Sequence, residues 1–252
     1  MTLFVDKKSI IHNMDPLTKL MYVIISVAIT YILPIHNFVI TVTAISVLML
    51  IIGKVFRKIL PIIGVSIILI LSLIIVQGAF HPENQTVLYS LGPFAFYKEG
   101  LAYGLLLTLR VINMLCSFGV LILTTKPDEL VERLIKIGMS PKIGYVILSV
   151  LQIIPQMQAT VGKITDAQRS RGMETEGNVF VRVKAFFPLI GPVVLNSLND
   201  TRERAIALEM RGFNMTHKKT FLNETKFYRY QGVIQISLIL VFIGAIVWRM
   251  GL

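Results

Sequence analysis

The amino-acid sequence predicts an all-α, polytopic membrane helical bundle of about five spans, joined to a large cytoplasmic helical region. Three observations carry that prediction. Apolar residues make up 54% of the 252 residues and charged residues only 15%, with a mean hydropathy of +0.72, far from the balance of a soluble domain. The apolar residues come in long blocks, and a bilayer core of about 30 Å takes about 20 such residues per helix. Basic loops alternate with loops that are nearly free of lysine and arginine, the charge pattern of a chain that crosses a membrane repeatedly.

Taken in order, the apolar blocks place spans at Leu17–Leu33, Ile35–Ile52, Ile59–Phe80, Leu101–Leu123 and Val233–Met250. The first follows a polar stretch containing Asp6, Lys7, Lys8, His12, Asn13 and Asp15, unlike a cleaved signal peptide, and reads as a retained span. Pro34, His36 and Asn37 make a tight turn, so the first two spans form an antiparallel hairpin. The next connection, Gly53–Lys58, carries Lys54, Arg57 and Lys58. The longer loop from His81 to Gly100, with Gly92-Pro93 as a turn signal, has Lys98 as its one basic residue. The positive-inside rule then puts the N-terminus in the cytoplasm and the C-terminus outside.

Sixteen of the 25 lysines and arginines fall between Lys126 and Arg229, which makes that stretch a large cytoplasmic region. The expected division is therefore a four-span membrane bundle over residues 1–125, the cytoplasmic region over 126–230 and a last transmembrane helix over 231–252. Two apolar runs inside the region, Ile143–Ile154 and Ala185–Leu198, are short and contain or adjoin Pro155, Pro188 and Pro192. Were both to cross, Lys163, Arg169, Arg171, Arg182 and Lys184 would lie outside, against the charge rule. They are expected to lie along the membrane or pack under the bundle.

The net charge of +11 belongs to this topology, so no nucleic-acid partner is expected; the partner surface is the lipid bilayer. Cys116 stands alone in an apolar run and has no partner for a disulfide. The four histidines, His12, His36, His81 and His217, are scattered over both expected sides of the membrane, so no metal site is expected. Gly53-Lys54 and Gly162-Lys163 lack the earlier glycine and the following hydroxyl residue of a nucleotide-binding loop.

Arg110 is the one basic residue placed near the middle of a span, where an ionisable group costs about 2.5–3.5 kcal/mol and needs a partner. Asn113 lies one turn on along the same face. A helical carbonyl or a polar group of a neighbouring helix is the other source of acceptors, and the pair reads either as an intramembrane polar site or as a tie within the bundle. A stronger signal is a repeated element. Ala167-Gln168-Arg169-Ser170-Arg171-Gly172 and Glu209-Met210-Arg211-Gly212-Phe213 each end a helix-favouring stretch in Arg-Gly, forty residues apart. Glycine takes the left-handed conformation that stops a helix, and a cation there complements the helix dipole. One such end alone reads as plain capping; repeated on the expected cytoplasmic side, an arginine on a rigid helix tip also suits insertion into an acidic groove of another protein.

With these elements in hand, the chain resembles the transmembrane T component of energy-coupling-factor (ECF) transporters, a family that includes the membrane subunit of cobalt and nickel importers. Met14-Asp15-Pro16-Leu17-Thr18-Lys19-Leu20 is similar to the family's Asp-Pro-Arg-x-Lys-Leu entry to its first span, with Leu17 at the arginine. Thr124-Thr125-Lys126-Pro127-Asp128-Glu129-Leu130, then Gly138-Met139-Ser140-Pro141, resembles the entry to its coupling domain. Its two Ala-Arg-Gly motifs match Ser170-Arg171-Gly172 and Met210-Arg211-Gly212, each departing at the alanine alone.

The resemblance implies a non-catalytic coupling subunit in the cell membrane. Its two coupling helices dock into two ATPase subunits, which bind the ATP and magnesium; this chain binds no cofactor itself. A small S component binds the substrate: a vitamin, a vitamin precursor or a transition-metal ion. Carried over, Arg171 and Arg211 dock the ATPases, Gly172 and Gly212 shape the tips, and Ser170 and Met210 flank them. The apolar runs at 143–154 and 185–198 then face the S component. Two other classes fit the residues less well. A membrane enzyme needs facing catalytic groups at membrane depth, where only Arg110, Asn113 and a few hydroxyls are available. A stand-alone secondary transporter usually has repeated halves, and no such internal symmetry is visible.

Overall fold

The computed structural model describes residues 4, 5, 7, 9–82, 85–91, 94–173, 178–215 and 230–251. His217, the Gly92-Pro93 turn and the basic residues Lys218, Lys219, Lys226 and Arg229 lie outside them. Eight helices and one two-stranded hairpin are found among the described residues: α1 (Pro16–Ile32), α2 (His36–Ile52), α3 (Phe56–Phe80), β1 (Val87–Leu91), β2 (Phe94–Tyr97), α4 (Lys98–Thr124), α5 (Pro127–Ile137), α6 (Pro141–Ser170), α7 (Val179–Met210) and α8 (Gln231–Met250). The chain divides into two compact units, residues 2–138 with 225–252, and residues 139–224.

Local chemistry sets the helix starts. Pro16, Pro127 and Pro141 each stand in the first turn, where a missing N–H costs nothing and the fixed φ suits a helix. In the first unit α4 lies at the centre, packed against α1, α2 and α3, while α8 packs on α1. Small residues let α4 sit there. Gly119 brings its backbone so close to Ile59 that an added Cβ would come within 2.5 Å of the Ile59 Cδ1. Around that point Leu50, Val55, Ile59, Cys116, Val120 and Leu123 form a buried core, and Ile25, Ile29, Leu33 and Ala245 form a second.

The outward faces are as apolar as the interior. On α3, Val65 is 78% and Ile68 77% exposed, which in water would be an aggregation surface and in a bilayer is the lipid-facing one. The helices α3, α4, α6 and α8 are long and apolar enough to cross a membrane, and α1 and α2, at 17 residues each, are just shorter. Seventeen residues reach about 25 Å, the low end of the spanning range.

Two expectations need correction. The runs 143–154 and 185–198 are not isolated short helices, because each is part of a continuous helix of 30 or 32 residues. Pro155, Pro188 and Pro192 lie inside those helices. A proline removes one backbone hydrogen bond and bends a helix, but it does not have to end one when both flanks are strong helix formers. By length and composition α6 therefore ranks with the spanning helices. The His81–Gly100 loop also holds structure of its own, the antiparallel β1–β2 hairpin with Val87 opposite Tyr97 and Ser90 opposite Ala95. Its β-branched and aromatic residues suit strands, and Phe96 packs over Gly78 of α3. The Glu99 carboxylate closes the hairpin's base, accepting from the Thr86 hydroxyl and from the Gln85 and Thr86 amides.

Candidate functional site

The two Arg-Gly elements are closed by the same pair of backbone bonds. At the end of α6 the Gly172 N–H donates to the Arg169 carbonyl (2.9 Å) and the Met173 N–H to that of Gln168 (3.1 Å), with Gly172 at φ +84°. At the end of α7 the Gly212 N–H donates to Glu209 (2.9 Å) and the Phe213 N–H to Leu208 (3.0 Å), with Gly212 at φ +72°. Both are Schellman caps, which use up carbonyls that a helix end would otherwise leave open. Arg171 and Arg211 hold the same position, the last before the glycine, and both side chains are exposed. Each guanidinium therefore stands on a backbone closed by its own bonds. Beside them Ser170 donates its hydroxyl back to the Asp166 carbonyl (3.1 Å), and Met210 is 84% exposed.

The tips do not lie side by side. Helices α6 and α7 pack through Arg204, which donates to the Gln156 side chain, and Phe213 lies tilted against Tyr145 with ring centroids 5.2 Å apart. Pairing of 156 with 204 and of 145 with 213 makes the two helices antiparallel. The second tip is thus beside the start of α6 and the first is at its far end. From Tyr145 to Arg171 the helix rises about 39 Å, less whatever the bend at Pro155 removes.

The positive φ gives each glycine its role. Replacing Gly172 or Gly212 by alanine costs about 1–2 kcal/mol, because a Cβ crowds the following carbonyl in that region. The expected result for either variant is faster hydrogen exchange at the amide that closes its cap, Met173 or Phe213, with the bundle amides unchanged.

Arg110 and Asn113 sit elsewhere, at the middle of the first unit, and are tied inward. The Arg110 Nε donates to the Thr30 carbonyl of α1 (3.0 Å) and its guanidinium lies 4.7 Å from the centre of the Tyr31 ring. Asn113 is fully buried, its Oδ1 accepting from the hydroxyls of Ser46 (2.7 Å) and Ser26 (3.2 Å) and its Nδ2 donating to the Ser26 carbonyl (3.3 Å). Since the Ser46 proton goes to Asn113, the Tyr22 hydroxyl must be the donor in its 2.7 Å bond to Ser46. The network binds α1, α2 and α4 together, and these bonds are those of a structural tie.

A third cluster went unrecognised in the sequence. Asp15, at the head of α1, makes no capping bond with its side chain; the carboxylate meets Arg133 of α5 instead, Oδ2 to Nε 3.1 Å. One turn on, Lys19 is 1% exposed and donates to the Thr124 carbonyl at the end of α4 (2.9 Å). The sign that could have revealed it is a lysine one turn inside an apolar span, which must find acceptors.

Helices of this length and composition, with lipid-facing apolar surfaces, define a multi-pass membrane protein. The profile of the family described as cobalt transport protein, CbiQ, matches residues 7–221, and the chain belongs to that family. Its relatives carry the same kind of name. The chain is 26% identical over 262 residues to the energy-coupling factor transporter transmembrane protein EcfT of Lactococcus lactis subsp. cremoris, covering 97% of this chain and 96% of that protein. It is 29% identical over 234 residues to the EcfT of Streptococcus equi subsp. equi, covering 86% and 84%. With the EcfT of Bacillus subtilis it shares 26% over 224 residues, 83% of each chain. The family read from the Asp-Pro and Arg-Gly motifs is the family found.

Proposed function

We propose that this chain is the transmembrane coupling subunit of an ATP-driven importer of the energy-coupling-factor type. The observation that carries the reading is the pair of identical Schellman caps, each presenting an exposed arginine at an opposite end of the α6–α7 pair. In this reading Arg171 docks one ATPase subunit and Arg211 the other, each pairing with carboxylates in a groove, while Ser170, Gly172, Met210 and Gly212 shape the docking surfaces. Closure of the ATPase pair on ATP and magnesium moves the two tips, and the long helices behind them carry that motion. The chain itself performs no catalysis.

The S component takes the substrate and seats on the apolar runs of α6 and α7. Ile143, Val146, Val150 and Ile154 recur at helical spacing on α6 and are about half exposed; Leu195 and Leu198 of α7 are likewise exposed. The substrate is a vitamin, a vitamin precursor or a transition-metal ion. Residues 126–230 face the cytoplasm, α6 with them despite its spanning length, because a crossing would carry the basic residues at its end, Lys163, Arg169 and Arg171, outside; the N-terminus lies on the cytoplasmic side and the C-terminus outside.

The test is reconstitution. The tagged chain, co-expressed with two ATP-binding subunits and an S component, is expected to retain all three through purification and to drive substrate uptake into proteoliposomes only with ATP and magnesium. Failure to retain the ATP-binding subunits would overturn the reading.

A further inference from the structure

Within the first unit, the head of α1 is joined by charge to the middle of α5, the helix that precedes α6 in the chain. Helix α5 is an 11-residue rod held on short leashes: Thr125 and Lys126 join it to α4, and Gly138, Met139 and Ser140 join it to α6. Its apolar side rests on the bundle through Val131, which is buried. From the same helix Arg133 reaches Asp15, whose side chain is 4% exposed. An aspartate at the first position of a helix ordinarily caps its own backbone. Asp15 gives up that bond and commits its carboxylate to α5.

A second contact pins the same place from the other side. The Lys19 ammonium donates to the Thr124 carbonyl at the end of α4, where the helix dipole is negative, and the Val5 amide takes the neighbouring Leu123 carbonyl (3.1 Å). The segment before α1 thus holds both the end of α4 and the middle of α5. A rod fixed at mid-length by a directional, part-buried ion pair, with linkers of only two and three residues at its ends, keeps its angle when the chain beyond it is pulled.

We propose that Asp15 and Arg133, with Lys19 holding α4, form the joint through which movement of α6 is delivered to α1 and α4 rather than lost in the linkers. This rests on the coupling function proposed above; the residues are positioning residues, touching neither nucleotide nor substrate. The joint's signature is the ratio of transport to ATP hydrolysis, which a change in general stability would not move.

The test uses the full complex in proteoliposomes. Asp15→Asn keeps the shape and removes the charge, and it is expected to assemble and hydrolyse ATP near the wild-type rate while uptake per ATP falls about tenfold or more, since α5 is no longer held to α1 by an ion pair. Arg133→Gln should lower the ratio as well, and the double variant should lose less than the two single effects combined, because the ion pair is shared between them. Wild-type transport per ATP in Asp15→Asn, or a parallel fall of hydrolysis and uptake, would overturn the joint. So would failure of both single variants to assemble, which would make the pair a folding element. If the wild-type complex shows no ATP-driven uptake, it is the coupling function that fails, and the two outcomes are distinct.

Discussion

Arg171→Glu combined with Arg211→Glu is expected to abolish ATP-driven uptake while leaving the chain folded in the membrane. Both side chains are exposed and both caps are closed by backbone bonds, so neither substitution disturbs a packed side chain. The cost within the chain is small. A carboxylate at a helix C-terminus is disfavoured by about 0.3–1 kcal/mol in place of a cation favoured by the same amount. The cost at the partners is larger, about 1.5–3 kcal/mol for each charge-assisted pair that is broken, with repulsion from the acidic groove added.

The tips stand at opposite ends of the α6–α7 pair, so the two effects add, to about 3–6 kcal/mol or roughly a hundredfold to ten-thousandfold in affinity. Single variants should retain a measurable fraction of uptake. Arg→Lys at both tips should fall between, because lysine keeps the charge without the planar two-pronged grip. Uptake of labelled substrate into proteoliposomes reads the series, and the membrane-extracted yield reads the folding. Full uptake by the double Glu variant would remove both arginines from the docking role.

Much of this was legible because membranes impose simple rules. The blocks read as spans at Leu17–Leu33 and Ile35–Ile52 fold as the helices α1 and α2 to within a residue, since apolar length is the signal and the turn at Pro34 is sharp. The cap glycines were legible for a similar reason: Arg171-Gly172 and Arg211-Gly212 write their backbone geometry into the residue type. What escaped depends on distance. Asp15 and Arg133 lie 118 residues apart, and no spacing rule links them. The length of α6 and α7 escaped because a proline ends many helices, and at Pro155 it does not. Arg110 fell between the two. Its need for an acceptor is plain from its place in an apolar block, and a carbonyl of a neighbouring helix is one group that can meet it; that the carbonyl belongs to Thr30 required the fold.

The remaining large effect concerns Asn113, and its size turns on which groups can find other partners. In Asn113→Leu the volume is nearly kept and the polar bonds of the side chain go. Ser46 loses little, because its hydroxyl already lies 3.2 Å from the Val42 carbonyl and can turn to it while still accepting from Tyr22. The Ser26 carbonyl also loses little, since the helix bond from four residues on remains. The Ser26 hydroxyl bears the cost: it is buried, it both donates to and accepts from Asn113, and what remains near it is the Tyr22 hydroxyl, already engaged with Ser46. A buried hydroxyl left unpaired costs about 1–3 kcal/mol, more than a bond of this kind contributes on average. Asn113→Leu is therefore expected to lower the thermal midpoint of the detergent-purified chain by several degrees, and adding Ser26→Ala should restore most of the loss, since removing both partners leaves nothing unpaired. If the two substitutions add instead, the network is not the tie that holds α1 and α2 to α4.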